Sequence, residues 1–299
     1  MGSDVTPREA GAAMRSLSRR TFLRNAIQLA LGTAALGAGG LVYARAIEPD
    51  WIEVTHLRLT LPRLSPAFRG YRLVQVSDIH MDRWMTRDRL AGVVRLVNDQ
   101  QADLVALTGD FVTHGYQRRS ADLADGLSAL RGRDGVVAVL GKHDHWSSPE
   151  STRRALRDSR VIELSNRVHT VRRGDAALYV AGVDDYWTDH ARLEQVLDRL
   201  PAEGAAILLA HEPDFADVSA PTGRFDLQIS GHSHGGQVRI PLLGAPILPP
   251  FGQKYPLGLY RVGSMLQYTN RGVGMISPRI RLNCRPEITV YTLDAVRQA

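Results

Sequence analysis

Short apolar runs alternating with helix-like segments constrain the fold of this chain more than any other feature. Strands are predicted at residues 52–61, 71–77, 103–107, 136–140, 161–164, 177–181, 205–209 and 227–230, with further strands between 262 and 293. Amphipathic helices are predicted at residues 87–100, 120–130, 149–158 and 190–200. The alternation predicts a layered α/β fold, and the number of strands favours two sheets over one.

The charge balance argues against nucleic-acid binding by the body of the chain. Residues 1–46 hold six arginines against Asp4 and Glu9, whereas the remainder is nearly balanced, with 31 basic and 29 acidic residues. No basic stripe with interleaved aromatic residues is present, although nucleic acid would need one. Cys284 is the single cysteine, which excludes an intramolecular disulfide and a cysteine-based zinc site.

The N-terminal segment has the pattern of an export signal. The sequence SRRTFLRNA, starting at Ser18, places two adjacent arginines before an uncharged stretch rich in Ala, Gly and Leu, and Ala44-Arg45-Ala46 follows as a candidate cleavage site. We therefore predict a twin-arginine-type signal or membrane tether at 1–46 and a single domain at 47–299. This predicts export through the twin-arginine machinery to an extracytoplasmic, envelope or membrane-associated location. An ordinary amphipathic helix and an uncleaved anchor remain alternatives, and cleavage after Ala46 stays open.

Polar residues follow the predicted strands in a consistent way. The runs end in SDIH, TGD, GKHD, AHE and GHSHGG, which supply Asp78, His80, Asp110, His143, Asp144, His211, His232 and His234. The carboxyl ends of strands in an α/β sheet open on one edge, so five strands deliver carboxylates and imidazoles to the same place. One such residue alone is more often a turn or cap residue. The ordered series instead predicts a metal centre with nitrogen and hard oxygen ligands.

These motifs, spread over residues 71–237, resemble those of the calcineurin-like metallophosphoesterases. The later stretches GLYRVGSMLQYTNRGVG and RLNCRPEI are similar to the exported bacterial YkuE-like branch of that family. The resemblance implies a four-layer α/β/β/α sandwich with a dinuclear metal site at the carboxyl rim of the strands. It also implies a phosphoester hydrolase, with a phosphodiesterase favoured. A monoesterase or pyrophosphatase shares the same motifs.

The resemblance also implies roles for individual residues. One metal would be bound by Asp78, His80 and His234, and a second by His211 and His232, with Asp110 bridging both. Two divalent ions (manganese, iron or zinc) would lower the pKa of a bridging water, and the resulting hydroxide would attack phosphorus. His143 would protonate the leaving oxygen, a task suited to imidazole. Asp144 is a candidate catalytic residue, with orientation of its loop as the alternative.

Lys142 departs from the family pattern, in which an asparagine precedes the catalytic histidine and offers its carbonyl oxygen to the second metal. A protonated lysine has no lone pair for a metal, but it can bind the phosphate of the substrate. Three hypotheses follow: an enzyme with a weaker second metal and the lysine on the phosphate, a catalytically impaired protein that binds metal and phosphate, or an isolated change, since Asn and Lys codons differ at one base. Arg271 is a second candidate for substrate binding, and a structural salt bridge is an equal alternative.

A proline-rich loop follows the last histidine motif. Residues 239–256, RIPLLGAPILPPFGQKYP, contain five prolines and are mostly apolar. One interpretation is a rigid wall packed on the core. The other is an apolar lip for a lipid-linked phosphate substrate, which suits an exported or membrane-held enzyme.

Overall fold

The computed structural model describes residues 19–116 and 119–296. Ser18, which opens the twin-arginine pattern, lies outside the described residues with the rest of 1–18. The chain separates into two units, residues 1–43 and 44–299. The described part of the first unit is one helix, α1 (Arg19–Val42).

Helix α1 begins a segment that meets the length and composition of a membrane span. The segment Arg19–Asp50 contains a window of 18 residues with a mean hydropathy of 1.4, and none of that window is buried. An N-terminal apolar helix of this kind is shared by signal sequences and membrane anchors.

The second unit is built on two six-stranded mixed sheets. The first has the order β1-β12-β2-β3-β4-β5 and the second the order β10-β11-β9-β8-β7-β6. Their strands are β1 (Glu53–Leu61), β2 (Tyr71–Val76), β3 (Leu104–Thr108), β4 (Val136–Val139), β5 (Ile162–Glu163), β6 (Arg167–Arg173), β7 (Ala176–Gly182), β8 (Ala206–Leu209), β9 (Leu227–Ser230), β10 (Gly258–Val262), β11 (Met265–Thr269) and β12 (Glu287–Ala295). The strands that precede the polar motifs run parallel, β2 to β3 to β4 in one sheet and β8 to β9 in the other.

The helices of this unit cover the outer faces of the two sheets. They are α2 (Arg87–Asn98), α3 (Ser120–Leu127), α5 (Pro149–Asp158), α6 (Leu193–Leu197) and α7 (Ala216–Ser219), whereas the short helix α4 (Lys142–Ser147) lies at the end of β4. Alternate residues of β3 face opposite ways: Val105 and Leu107 pack under α2 and α3, and Leu104 and Ala106 pack between the sheets. Three apolar cores therefore separate four layers, in the order α/β/β/α, and confirm the predicted fold class.

Three elements were not predicted, and one of them is the single-turn helix α7 (Ala216–Ser219). Strand β6 reads RVHTVRR, in which polar and apolar residues mix and several side chains stay partly exposed, because it lies at the edge of the second sheet. Helix α4 is only six residues long. Its sequence, KHDHWS, is mostly polar and has no periodic apolar pattern that would predict a helix. Elsewhere the predicted elements exist, and β9 and α5 have the predicted bounds.

Candidate metal centre

The backbone at the strand ends adopts a conformation that most residues avoid. A positive φ, between 51° and 71°, occurs at Asp78, His80, Asp110, His232 and His234. Non-glycine residues rarely adopt this left-handed conformation, and such strain concentrates at functional sites. The turns are also tightly packed, because a Cβ at Gly231 would lie 1.8 Å from Ser77 Oγ and 2.2 Å from Asp78 Oδ2. The close packing of these turns thus holds the side chains at the strand ends near one another.

The first cluster consists of Asp78, His80 and His234, all buried. The Nε2 atoms of the two histidines lie 3.1 Å apart, and His234 Nε2 lies 3.2 Å from Asp78 Oδ1. Burial holds the pKa of His80 well below its usual range, which favours a neutral ring. Two imidazole nitrogens and a carboxylate oxygen converge, which is a donor set that suits a divalent transition metal.

The second cluster consists of Asp110, His211 and His232. His211 donates its Nδ1–H to the carbonyl of Thr108 at 2.6 Å, which points Nε2 toward Asp110 Oδ2 at 3.1 Å. Apart from this ion-pair contact, that buried Nε2 atom has no hydrogen-bond partner among the residues that the structure describes. Burial lowers the pKa of His211, but the carboxylates of Asp110 and Asp78 outweigh it and raise the value to about 10. The surroundings of His211 therefore favour a positive charge.

A histidine whose second ring nitrogen is fixed by a backbone carbonyl is the usual arrangement at a metal ligand. His211 has this arrangement through Thr108, and His232 has it through a 2.8 Å bond from Nε2 to the carbonyl of Pro250. The six predicted ligands thus form two groups of donor atoms, and the residues of the first group fit a metal ion without rearrangement.

Lys142 lies inside the second cluster. Its Nζ donates to Asp110 Oδ2 at 3.0 Å and to His232 Nδ1 at 2.9 Å, and the residue is only 6% exposed. Burial lowers its pKa, but the carboxylates of Asp110 and Asp78 outweigh burial and raise the value above the usual one. The side chain is therefore an ammonium ion in the protein without metal. Its role in substrate binding stays a prediction.

His143 lies beside the first cluster, with its ring centroid 4.8 Å from that of His80. Its Nδ1 accepts a hydrogen bond from the backbone N–H of His114 at 3.4 Å. Burial, opposed by Asp110 and reinforced by Lys142, lowers the pKa of His143 to about 4. The ring is then neutral, and because Nδ1 is an acceptor, Nε2 carries the proton.

Asp144 faces the backbone rather than the cluster. Its oxygens accept hydrogen bonds from the N–H groups of Phe111 and Gly141, both at 3.0 Å. Burial and the charge of Asp110 raise its pKa to about 7. These contacts are those of a positioning residue that ties the loop after β3 to the start of α4. A direct catalytic role for Asp144 stays a prediction.

Arg271 is held by two carboxylates. Its guanidinium contacts Glu53 Oε2 and Glu287 Oε2, each at 2.9 Å. This is the salt bridge that the sequence left as an alternative, and binding of substrate by Arg271 stays a prediction.

Three aromatic residues beside the clusters were not singled out from the sequence. The ring of Trp187 lies 5.6 Å from that of His232 and 5.8 Å from that of Phe251, while Trp146 lies 5.1 Å from His143. We call Trp146, Trp187 and Phe251 the aromatic wall. Thr113 was also given no role, and its Oγ1 lies 3.3 Å from His80 Nδ1. Loop residues such as these follow no periodic pattern, so only the aromatic letters in DDYWTDH and PPFG hinted at them.

A four-layer sandwich with buried His and Asp clusters at its strand ends defines a metal-dependent phosphoester hydrolase. The model of the calcineurin-like phosphoesterase family matches residues 71–236. The chain is 34% identical to the metallophosphoesterase YkuE of Bacillus subtilis, over 94% of this chain and 99% of that protein. This chain therefore belongs to the calcineurin-like phosphoesterase family.

Two further relatives extend the comparison. The phosphodiesterase YaeI of Escherichia coli is 29% identical over 93% of this chain and 99% of that protein. A transmembrane protein with a metallophosphoesterase domain from Danio rerio is 30% identical over 94% of this chain and 65% of that protein.

Proposed function

We propose that the chain hydrolyses a phosphodiester at the metal centre and that His143 serves the leaving group. The observation that carries this proposal is the convergence of Asp78, His80 and His234, whose donor atoms lie within 4.0 Å of one another, with His143 beside them. A divalent ion held there, which the sequence pairs with a second ion at Asp110, His211 and His232, would supply Lewis-acid activation of water and of the phosphate.

The protein side of the reaction follows from the hydrogen bonds of the neighbouring residues. His143 carries its proton on Nε2 because the N–H of His114 occupies Nδ1, and we assign this N–H as a hydrogen-bond donor that stabilises the negative charge developing on the leaving oxygen. Lys142 has three N–H bonds and uses two of them on Asp110 and His232. We assign the third to a phosphate oxygen of the substrate.

The test compares a generic phosphodiester with the matching monoester, using full-length protein. We expect diester turnover that stops after chelation and returns with Mn²⁺, and a His143→Asn variant that binds the metal equally but turns over at least about 100-fold more slowly. Protein that binds metal without hydrolysing either ester would instead support the impaired binding protein.

We further propose that the substrate carries a lipid chain. Within residues 239–256, Leu242, Leu243 and Ile247 are 106%, 80% and 80% exposed, so this part of the loop does not pack on the core. Exposed apolar residues in such a group are typical of sites that meet lipid or protein. The other end of the loop contacts the centre directly, because Pro250 accepts from His232 and Phe251 belongs to the aromatic wall.

A matched pair of substrates tests this assignment. Phosphatidylglycerol in mixed micelles and its deacylated counterpart share the phosphodiester and differ in the acyl chains. We expect kcat/KM at least about tenfold higher for the lipid, which corresponds to about 1.4 kcal/mol of differential transition-state stabilisation. Equal values would contradict the lipid assignment without affecting the proposed hydrolase activity.

We also propose that α1 takes the protein out of the cytoplasm by the twin-arginine route, as a signal or as a tether. Support comes from Arg19 and Arg20 at the start of a helix with the apolar length of a membrane span. Replacing both with lysine should retain the protein in the cytoplasm of a bacterial host that has this machinery. Arg24→Lys is the matched control and should leave export unchanged, and export of the double variant would contradict the proposal.

A further inference from the structure

The ring of His232 has only one nitrogen that could bind a metal. Its Nε2 lies 2.8 Å from the carbonyl oxygen of Pro250, and because a carbonyl only accepts, Nε2 must carry the proton. The remaining lone pair is on Nδ1, which lies 2.9 Å from Lys142 Nζ. An imidazole nitrogen has a single lone pair, so His232 cannot accept from Lys142 and bind a metal at the same time.

Asp110 is also engaged by Lys142, although each of its carboxylate oxygens keeps a second lone pair. Its Oδ1 accepts from the backbone N–H of His143 at 2.8 Å, and its Oδ2 accepts from Lys142 Nζ at 3.0 Å. Lys142 Nζ therefore lies within 3.0 Å of two of the three donor atoms of the second cluster. A metal bound to the same two atoms at about 2.0–2.2 Å would need the single lone pair of His232 Nδ1, which Lys142 occupies, and would be repelled by the ammonium at Asp110 Oδ2.

The surroundings of Lys142 favour the observed position of its side chain. The residue is 6% exposed, and Nζ lies 5.7 Å from the ring centroid of Trp187 in the aromatic wall. The first cluster is different. Among the residues that the structure describes, no lysine or arginine forms an ion pair with Asp78, and the facing atoms of His80 and His234 contact only each other and carboxylates.

We propose that the ammonium of Lys142 takes the place of a second divalent ion, so that the chain is a one-metal phosphoesterase with a built-in monovalent cation. This inference rests on the proposed function, and it revises the expectation of two ions. The permanent charge of Lys142 would balance Asp110, and its third N–H would face the substrate. The first cluster alone would then take up metal.

Metal stoichiometry tests the inference directly. Full-length wild-type protein, Lys142→Asn and Lys254→Asn are stripped with chelator, reloaded with Mn²⁺ and desalted, and manganese per chain is measured by elemental analysis. Lys254 is the matched control, because it is the other lysine of the chain and pairs with Asp217 on the surface. We expect one ion in the wild type and in Lys254→Asn, and two in Lys142→Asn.

Electron paramagnetic resonance gives an independent readout. Isolated Mn²⁺ and an exchange-coupled pair have different spectra, so the wild type should show the first and Lys142→Asn the second. Two ions in the wild type, or one ion in a folded Lys142→Asn, would overturn the inference while leaving hydrolysis intact. No metal in any variant would overturn the proposed function as well. Lys142→Gln serves if the asparagine variant does not fold, and the wild-type spectrum decides the count in either case.

Discussion

The chain has two lysines, and each is paired with an aspartate in a different part of the molecule. Lys142 and Asp110 lie in the metal centre, where their side chains are 8% and 0% exposed. Lys254, in the proline-rich loop, pairs with Asp217 at 2.8 Å, where the side chains are 58% and 44% exposed. The distances are similar, so the two pairs differ chiefly in burial.

The difference shows what holds each region in place. In the centre, buried charges need partners, because an unpaired charge in a poorly solvated site is costly. In the loop, water screens both charges and the ion pair contributes little. The centre is thus fixed by its own electrostatics, whereas the loop is left free to present Leu242, Leu243 and Ile247 to a partner.

The largest expected effect is the loss of the buried pair. In metal-free protein, Lys142→Met should lower the free energy of unfolding by about 2–3 kcal/mol, because Asp110 would lose a buried charge-assisted hydrogen bond while His211 stays beside it. Lys254→Met should leave the urea midpoint nearly unchanged. Urea titrations of both variants at neutral pH measure the contrast, and equal losses would mean that burial does not distinguish the two pairs.

The next effect concerns activity. Asp110→Asn should lower kcat/KM for a soluble phosphodiester at least about 100-fold, since even residues that only support metal ligands cost 10–100-fold. Asp217→Asn is the control on the surface pair and should keep wild-type kcat/KM. Steady-state kinetics with Mn²⁺ at saturation gives both values. An active Asp110→Asn variant would show that this carboxylate is not part of the reactive centre.

The predicted ligand residues could be placed from the sequence within each sheet because each follows a buried parallel strand, and strand direction alone brings Asp78 and Asp110 to one edge of the first sheet. The contact between Lys142 and His232 was not predictable. Lys142 follows β4 in the first sheet and His232 follows β9 in the second, so their distance depends on how two sheets pack. Local sequence patterns carry no information about such non-local packing.

The same limit explains the missed aromatic wall. Trp187 lies in an irregular segment between β7 and α6, and its neighbour Phe251 comes from the proline-rich loop. Neither residue belongs to a periodic pattern, and their meeting depends on two loops from distant parts of the chain. The apolar cores were predictable because they depend on local patterns: the apolar residues along each strand indicate which side chains are buried.

A third pair, His145 with Asp184, contains a histidine, so its contribution to stability depends on pH. His145 Nε2 lies 2.8 Å from Asp184 Oδ1, near Arg153 and stacked on His190. Burial lowers the pKa of His145, but Asp184 outweighs it and raises the value. Burial raises the pKa of Asp184, but His145 and Arg153 outweigh it and lower the value.

The sign of the pH dependence follows from these two shifts. The contribution of His145 is complete below its unfolded pKa of about 6.5 and is lost as pH rises through the raised value, while that of Asp184 is lost as pH falls below about 4. His145→Gln should therefore cost about 1 kcal/mol near pH 5.5 and less near pH 9, with partial solvent screening included. Urea titrations at both pH values measure it, with His190→Gln as control. A cost that grows with pH would reverse the assignment.

The smallest expected effect lies in the loop. The double variant Leu242→Ser and Leu243→Ser should change the free energy of unfolding by no more than about 0.5 kcal/mol, because both side chains are almost fully exposed. Turnover of a soluble phosphodiester should also stay unchanged, while turnover of the acylated substrate falls. If the double variant changes neither the free energy of unfolding nor the turnover of either substrate, another binding partner must explain why these leucines are exposed. A large loss of stability would instead show that the loop, like the metal centre, is held in place by buried side chains, and the contrast between the two regions would disappear.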